Sequence, residues 1–138
     1  EYLVVQHKDP FSHQFAHYVR KDLNVKAMNQ AASYLLRHND FQCFSKSRTD
    51  VKTFICDIKH AKWSNKGKTL VFAITANRFL RNMVRAIVGT LLQIGEERIP
   101  PKAIETIIAS KSRGEAGASV PAKGLYLTRV VYPKALFV

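Results

Sequence analysis

The sequence predicts an α+β fold, in which helices cover one face of an antiparallel sheet. The 138-residue chain is 46% hydrophobic and has only 6 Gly and 5 Pro, so it is expected to fold as one domain over residues 1–138. Segments with the two-residue repeat of strands and the 3.6-residue repeat of helices follow one another in the order β-α-β-β-α-α-β. This order is the split βαβ pattern of a ferredoxin-like sandwich with one additional helix.

The first part of the chain predicts a strand, a connection and a helix. Residues 2–5 form a β-rich run, and a polar connection follows to about Lys21. Asn24 is suited to cap a helix, because its side chain can accept a hydrogen bond from the first turn. The helix should end near residues 38–39 and bury one apolar face. That face consists of Met28, Ala31, Ala32, Leu35 and Leu36.

A β-hairpin is predicted in the middle of the chain. Between residues 51 and 63, Phe54, Cys56 and Ile58 alternate with more polar positions. Residues 64–68 supply a turn, and residues 70–76 are almost continuously apolar. The second strand of the hairpin should therefore be buried.

Two helices and a last strand are expected after the hairpin. Asn77 is a candidate cap for a long helix that ends at Gly95, and Pro101 suits the first turn of a shorter helix. A loop of small residues over 114–124 then precedes a strand at 125–132. The apolar stripes of the two helices are Leu80, Met83, Val84, Ile87, Val88 and Leu91, followed by Ile104, Ile107 and Ile108. The uncovered sheet face requires a partner, either RNA or another part of the same protein.

Positive charge is concentrated in one part of the chain. The net charge is +12, from 22 Lys and Arg against 10 Asp and Glu, and no acidic residue lies between Asp57 and Glu96. This segregation favours nucleic acid as a partner, with a basic face that only aids solubility as the alternative. A membrane surface is less favoured, because the arginine-bearing helix lacks aromatic anchors, and no apolar run is long enough to span a bilayer. The cations in the interval are Lys59, Lys62, Lys66, Lys68, Arg78, Arg81 and Arg85.

Three arginines are spaced to share one side of the predicted long helix. Arg78, Arg81 and Arg85 follow i, i+3, i+7 spacing, so together they could reach one cleft. Arg85 lies at the edge of the apolar stripe, where a half-buried guanidinium needs a carboxylate or phosphate partner. The alternative is that Arg85 extends from the edge of the core into solvent.

Taken alone, the residue types show no complete catalytic or metal site. The glycines form no phosphate-binding loop, and no Ser, His and Asp lie in the setting of a hydrolase triad. His13 and His17 could share a helical face and bind a metal with Cys43 or Asp9, but no motif strengthens the pair. Cys43 and Cys56 are expected to be buried, reduced thiols of a cytoplasmic protein, because no secretory signal is apparent.

Three segments match, in order, the motifs of one known family. Residues 75–91 read T-A-N-R-F-L-R-N-M-V-R-A-I-V-G-T-L, residues 120–127 read V-P-A-K-G-L-Y-L with V-V-Y-P at 130–133, and residues 39–45 read N-D-F-Q-C-F-S. They resemble the segments A-N-x-F-L-x-x-M-V-R-x-I-V-G-x-L, A-P-A-x-G-L-Y-L-x-x-V-x-Y-P and x-D-F-x-x-F-S of the tRNA pseudouridine synthase A family. The resemblance covers most of the chain and is confined to the C-terminal domain of that family.

The resemblance implies an isomerase that converts uridine to pseudouridine in the anticodon arm of tRNA, without a cofactor or a metal. It also implies a cleft between two similar domains, and a homodimer. The essential aspartate lies in the N-terminal domain, in a motif of the type R-T-D-A-G-V-H-A. The expected partners are therefore tRNA, a second copy and that N-terminal domain, and the present chain is expected to be inactive alone.

The resemblance also implies roles for individual residues. Arg85 matches the Arg of M-V-R, which supports the catalytic carboxylate from the facing domain. Leu125 matches an apolar residue that lines the uridine pocket, although a plain core leucine is the alternative. The candidates for contacts with the tRNA backbone are Arg78, Arg81, Lys59 and Lys62.

Residues 48–50 spell R-T-D, yet they match the catalytic motif only in part. Val51, Lys52 and Thr53 follow in place of Ala, Gly and Val, and the next position, where the motif has its His, is Phe54. Asp50 is therefore expected to be a carboxylate of a loop or strand start.

The family's active-site tyrosine is expected to lie just before Glu1. The present sequence is therefore expected to be a fragment of a longer protein. The competing interpretations are a stand-alone RNA-binding module and a purely structural or dimerisation domain.

Overall fold

The computed structural model describes residues 1–46 and 53–128, and these residues form an α+β fold, as predicted. In chain order the elements are β1 (Tyr2–Val5), β2 (His17–Tyr18), α1 (Val25–Tyr34), β3 (Ile58–Lys66), β4 (Thr69–Ala76), α2 (Met83–Gly95) and α3 (Ala103–Ser110). Short 3-10 turns lie at Leu35–Arg37, Gln42–Phe44, Arg113–Glu115 and Ala122–Gly124. None of the helices in this part of the chain is long and apolar enough to cross a membrane.

The sheet has the strand order β2-β1-β4-β3 and is mixed. β4 is antiparallel to both of its neighbours, but β2 is parallel to β1, which corrects the prediction of a wholly antiparallel sheet. The polar connection after β1 is long enough to let the chain return and pair in parallel. The observed order is thus β-β-α-β-β-α-α, and the ferredoxin-like order is not confirmed. Of the predicted last strand, Leu125 forms an isolated bridge to Tyr2, and residues 129–132 lie outside the described residues.

The core lies between the helices and one face of the sheet. Tyr2 and Trp63 both stand opposite Phe72, so the three side chains form a row across β1, β4 and β3. All three are buried, and the Trp63 and Phe72 ring centroids are 5.0 Å apart. The buried sides of α1, α2 and α3 belong to the same apolar cluster.

The β3–β4 hairpin is confirmed, but its first strand begins at Ile58, later than predicted, and its turn is tighter than predicted. Lys66 pairs with Thr69, so Gly67 and Lys68 alone form the turn. Gly67 has a φ of 63°, in the left-handed region that glycine enters without steric cost.

Helix α1 begins as predicted but ends differently. The Asn24 Oδ1 accepts the N–H of Ala27 at 3.0 Å, which confirms the cap. Leu36 is 48% exposed, contrary to prediction, because the chain tightens into a 3-10 turn after Tyr34 and the helical spacing is lost. The other predicted face residues are buried: Met28, Ala31, Ala32 and Leu35.

The end of α2, the apolar stripe of α3 and the state of the cysteines agree with prediction. α2 ends at Gly95, and α3 buries the three isoleucines of its stripe. Cys43 and Cys56 are buried free thiols. Burial raises the pKa of Cys43 to about 12, so that thiol stays neutral at physiological pH.

Candidate functional site

Helix α2 begins at Met83, later than the sequence predicts. Asn77 does not cap it: the Asn77 Oδ1 accepts the N–H of Asp57 at 2.7 Å, and the Asn77 N–H donates to the Asp57 carbonyl at 3.1 Å. Asn77 therefore joins the end of β4 to the residue before β3. Asn82 takes the N-cap position of α2, with a φ of 69°. The segment between these two asparagines is not helical.

Of the three arginines, Arg85 alone lies in α2. The prediction that Arg78, Arg81 and Arg85 share one helical side was wrong, because the first two precede the helix. The Arg78 Nη1 donates to the carbonyls of Thr53 and Ile55, each at 3.2 Å. Arg78 thus stabilises the backbone at Thr53 and Ile55. Arg81, in contrast, is exposed beside the cavity described next.

A cavity of about 890 Å³ opens at the start of α2. Its walls are the end of β4, the segment before α2, the first turn of α2, and residues 122–128. The structure brings four predicted site residues together in its lining: Lys59, Arg81, Arg85 and Leu125. Leu125 is 38% exposed, so it is not a core leucine.

The other two predicted site residues do not line this cavity. Arg78 makes the backbone contacts already described. Lys62 is exposed on β3, opposite Ala73, on the sheet face away from the helices. Lys59 lines the cavity but also forms an exposed ion pair with Asp57, at 2.6 Å.

Arg85 is anchored through one of its three guanidinium nitrogens. Its Nε donates to the Val120 carbonyl at 2.8 Å, and its own carbonyl accepts the Val120 N–H at 3.2 Å. Among residues 1–46 and 53–128, Nη1 and Nη2 have no hydrogen-bond or ion-pair partner. The half-buried guanidinium therefore offers two parallel donors near the positive end of the α2 dipole. This combination suits a carboxylate or a phosphate.

Tyr2 does not line the cavity, but it binds the residue directly before Ala122 of the cavity wall. It is fully buried, and its hydroxyl donates to the Pro121 carbonyl at 2.6 Å. Burial raises the pKa of Tyr2 far above its ordinary value, and the nearby charge of Arg85 only partly opposes this shift. The phenol is therefore a neutral donor.

Several apolar residues of the cavity were not singled out from the sequence. Phe79, Tyr126 and Leu127 line it and are 40%, 36% and 80% exposed. Exposed apolar side chains around a cavity are typical of a binding surface. The sequence did contain a signal for these residues, because all three lie within the segments matched to the family motifs.

The described residues contain no group of three His, Cys, Asp or Glu that could hold a metal ion. His17 lies in β2, so it does not share a helical face with His13, contrary to that interpretation. Burial and the charge of Lys123 lower the pKa of His17. Asp50 and the rest of the R-T-D segment lie outside the described residues.

Comparisons with known proteins agree with the motif resemblance. A family model described as tRNA pseudouridine synthase matches residues 31–133. Proteins named tRNA pseudouridine synthase A from Parabacteroides distasonis and Porphyromonas gingivalis are 47% and 48% identical, over 99% of this chain and 54% and 55% of their own length. A third, from Bacillus licheniformis, is 39% identical over 92% of this chain and 51% of its own. The chain spans about half the length of the curated relatives it matches.

Proposed function

Because the chain belongs to the tRNA pseudouridine synthase family, we propose that it forms the C-terminal half of an enzyme that isomerises uridine in the anticodon arm of tRNA. The observation that carries this proposal is Arg85, which is anchored at Nε and offers two donors at the cavity. In this role Nη1 and Nη2 bind a carboxylate from the facing N-terminal domain. They hold it ionised and fix its orientation.

The chemistry requires such a fixed carboxylate but no co-reactant. Uridine and pseudouridine are isomers: the bond from ribose C1′ to N1 breaks, a bond from C1′ to C5 forms, C5 loses a proton and N1 gains one. A carboxylate that acts on the sugar or the base must be held in one position relative to it. Leu125 and Phe79 supply an apolar wall against which the uracil ring packs and from which water is excluded.

The basic residues around the cavity contact the tRNA backbone in this proposal. Arg81 and Lys59 act from the rim of the cavity, and Lys62 acts from the adjoining sheet face. The Arg78 Nη1 already donates to the Thr53 and Ile55 carbonyls, so only the other guanidinium donors of Arg78 contact the tRNA backbone. Such contacts set the position of the RNA without reading its sequence.

Single-turnover pseudouridine formation by the full-length protein, on an unmodified tRNA transcript, tests the role of Arg85. Arg85→Ala should lower the rate constant by about 100-fold or more and change the tRNA Kd by less than about threefold, because Arg85 acts on the reacting groups. Arg85→Lys keeps the positive charge but loses the bidentate geometry of the guanidinium, so the single-turnover rate constant of this variant should also fall.

Arg98→Ala is the matched control, because the Arg98 side chain is exposed and, among the residues that the structure describes, pairs only with the side chain of Glu96. It should keep the wild-type rate. Equal losses of turnover and binding in Arg85→Ala would overturn the catalytic role and favour a module that only binds RNA.

The proposal includes a cytoplasmic homodimer, as the resemblance implies. Light scattering of the full-length protein after size exclusion should give the mass of two chains. A monomer with full activity would contradict this part of the proposal.

A further inference from the structure

A polar clamp holds the loop that follows α3, beside the start of α2. The Arg113 Nη1 donates to the Gly117 carbonyl, and Nη2 donates to the Ser119 Oγ, each at 2.9 Å. Asn82, at the N-cap of α2, donates from Nδ2 to the same hydroxyl oxygen. Both lone pairs of the Ser119 hydroxyl are therefore used. We name Arg113, Ser119 and Asn82 the Ser119 clamp.

The same loop lies directly on the backbone of α2. A Cβ on Gly89 would stand 1.8 Å from the Ala118 oxygen, and a Cβ on Gly117 would stand 2.9 Å from the Thr90 nitrogen. The Thr90 Oγ1 accepts the Gly117 N–H at 2.9 Å and donates to the Ala86 carbonyl. The loop is thus fixed against the helix at residue 117, and the clamp fixes it again two residues later.

The residue after the clamp is the one that anchors Arg85. Val120 directly follows Ser119, and its carbonyl and N–H are the two groups bonded to Arg85. A shift of Ser119 therefore moves the acceptor that orients the guanidinium. A displacement of about 1 Å in a group that orients the reaction can cost about 100-fold in rate.

We propose that Arg113 and Ser119 are positioning residues that act on the reaction through Arg85, by holding the Val120 carbonyl in place. The inference rests on the proposed function, because the orientation of Arg85 affects the reaction only if Arg85 holds the catalytic carboxylate. Neither residue lines the cavity, so neither is proposed to touch RNA or the reacting atoms. Within residues 1–46 and 53–128 Arg113 also has no carboxylate partner, and both of its side-chain hydrogen bonds are made to this loop.

Single substitutions in the full-length protein give the first test. Ser119→Ala should lower the single-turnover rate constant about tenfold and keep the tRNA Kd within about twofold. Ser119→Thr keeps the hydroxyl and should recover most of the rate. Ser33→Ala is the matched control, because Ser33 is an exposed serine of α1 whose hydroxyl donates to the nearby Gln30 carbonyl. It should leave the rate unchanged.

Arg113→Lys provides an independent variant if Ser119→Ala does not fold. A lysine ammonium keeps the charge but does not reproduce the two fixed donors of the guanidinium, so the rate should again fall about tenfold. Wild-type rates in both variants would overturn the inference.

A double-mutant cycle separates positioning from a general structural role. In an Arg85→Ala background, Ser119→Ala should cause no further loss, because its effect passes through a side chain that is already absent. A further tenfold loss would overturn the inference. Failure of the proposed function gives a different result, because Arg85→Ala alone would then lose turnover and tRNA binding equally.

Discussion

At the scale of single residues, Tyr2 shows how surroundings decide the chemistry of a side chain. The sequence places it in a strand, and the structure buries its ring beside Gly124 and its hydroxyl against the Pro121 carbonyl. Burial raises its pKa, so the phenol is not a proton carrier at physiological pH. Tyr2 instead ties the end of the 113–121 loop to β1.

Tyr2→Phe should cost about 1–2 kcal/mol at pH 7, because the Pro121 carbonyl loses its donor. The pKa of Tyr2 is higher in the folded protein than its ordinary value of 10.0. Above about pH 10 the unfolded chain therefore binds fewer protons than the folded one, and this contribution to stability is lost as pH rises. Urea unfolding between pH 7 and 11 should show a steeper alkaline loss in wild type than in Tyr2→Phe. Equal pH dependence would contradict the raised pKa.

At the scale of elements, a side chain from α1 supplies hydrogen bonds to the backbone of the edge strand β3. The Asn29 Oδ1 accepts the Trp63 N–H at 2.7 Å, and Nδ2 donates to the Trp63 carbonyl at 3.1 Å. An edge strand leaves alternate backbone groups unpaired, and this amide supplies the pair of bonds that another strand would make. Asn29 thus joins the helical layer to the edge of the sheet.

Asn29→Ala should destabilise the protein by about 2–4 kcal/mol, because it leaves two backbone groups of a buried residue without partners. Chemical denaturation measures this loss. Asn65→Ala, at an exposed position of the same strand, is the control and should change stability by less than about 0.5 kcal/mol. Similar values for the two variants would show that the Asn29 bonds contribute little.

Local signals predicted some element boundaries and missed others. Asn24 and Gly95 mark real helix ends. The cap hydrogen bond of Asn24 is made within the first turn, and Gly95, the last residue of α2, leaves the space that the Met28 side chain occupies. Asn77 carries the same kind of signal, but its amide is used by Asp57, twenty residues away. β2 has only two residues, so its pairing with β1 is decided by the fold and not by its own pattern.

At the scale of the whole molecule, the basic residues of β3 differ in how freely they can meet an anion. Lys62 is exposed, on the sheet face opposite the helices. Lys59 forms an ion pair with Asp57 and must give it up, or share it, to bind a phosphate. Lys59 and Lys62, which the sequence predicts to have the same role, therefore differ in how readily each can bind a phosphate.

Lys62→Ala should weaken tRNA binding and reduce the slope of log K against log salt by about 0.7–0.9, the value for one lost phosphate contact. Lys59→Ala should reduce the slope by less, because Asp57 already offsets part of its charge. Binding titrations of the full-length protein at several salt concentrations measure both. Lys102→Ala, exposed at the start of α3, is the control. An unchanged slope in Lys62→Ala would argue against RNA on this sheet face.

The chain alone should form no pseudouridine on an unmodified tRNA transcript, because the proposed catalytic carboxylate belongs to the other half of the enzyme. Asp50→Ala, assayed beside it, addresses the partial R-T-D match. Product that disappears in Asp50→Ala would identify Asp50 as the catalytic residue and contradict the proposal.

By itself the sequence determined the α+β class, the hairpin, most of the apolar faces and the family, because these depend on local periodicity and on residues adjacent in the chain. It also singled out Arg85 and Leu125. Only the tertiary structure decided that Arg78 holds backbone while Arg85 offers two donors, that Leu125 is exposed at a cavity, and that Ser119 stands beside the carbonyl that orients Arg85. Those properties arise from contacts between residues distant in sequence, and a side chain's partners decide whether its donors remain available for chemistry.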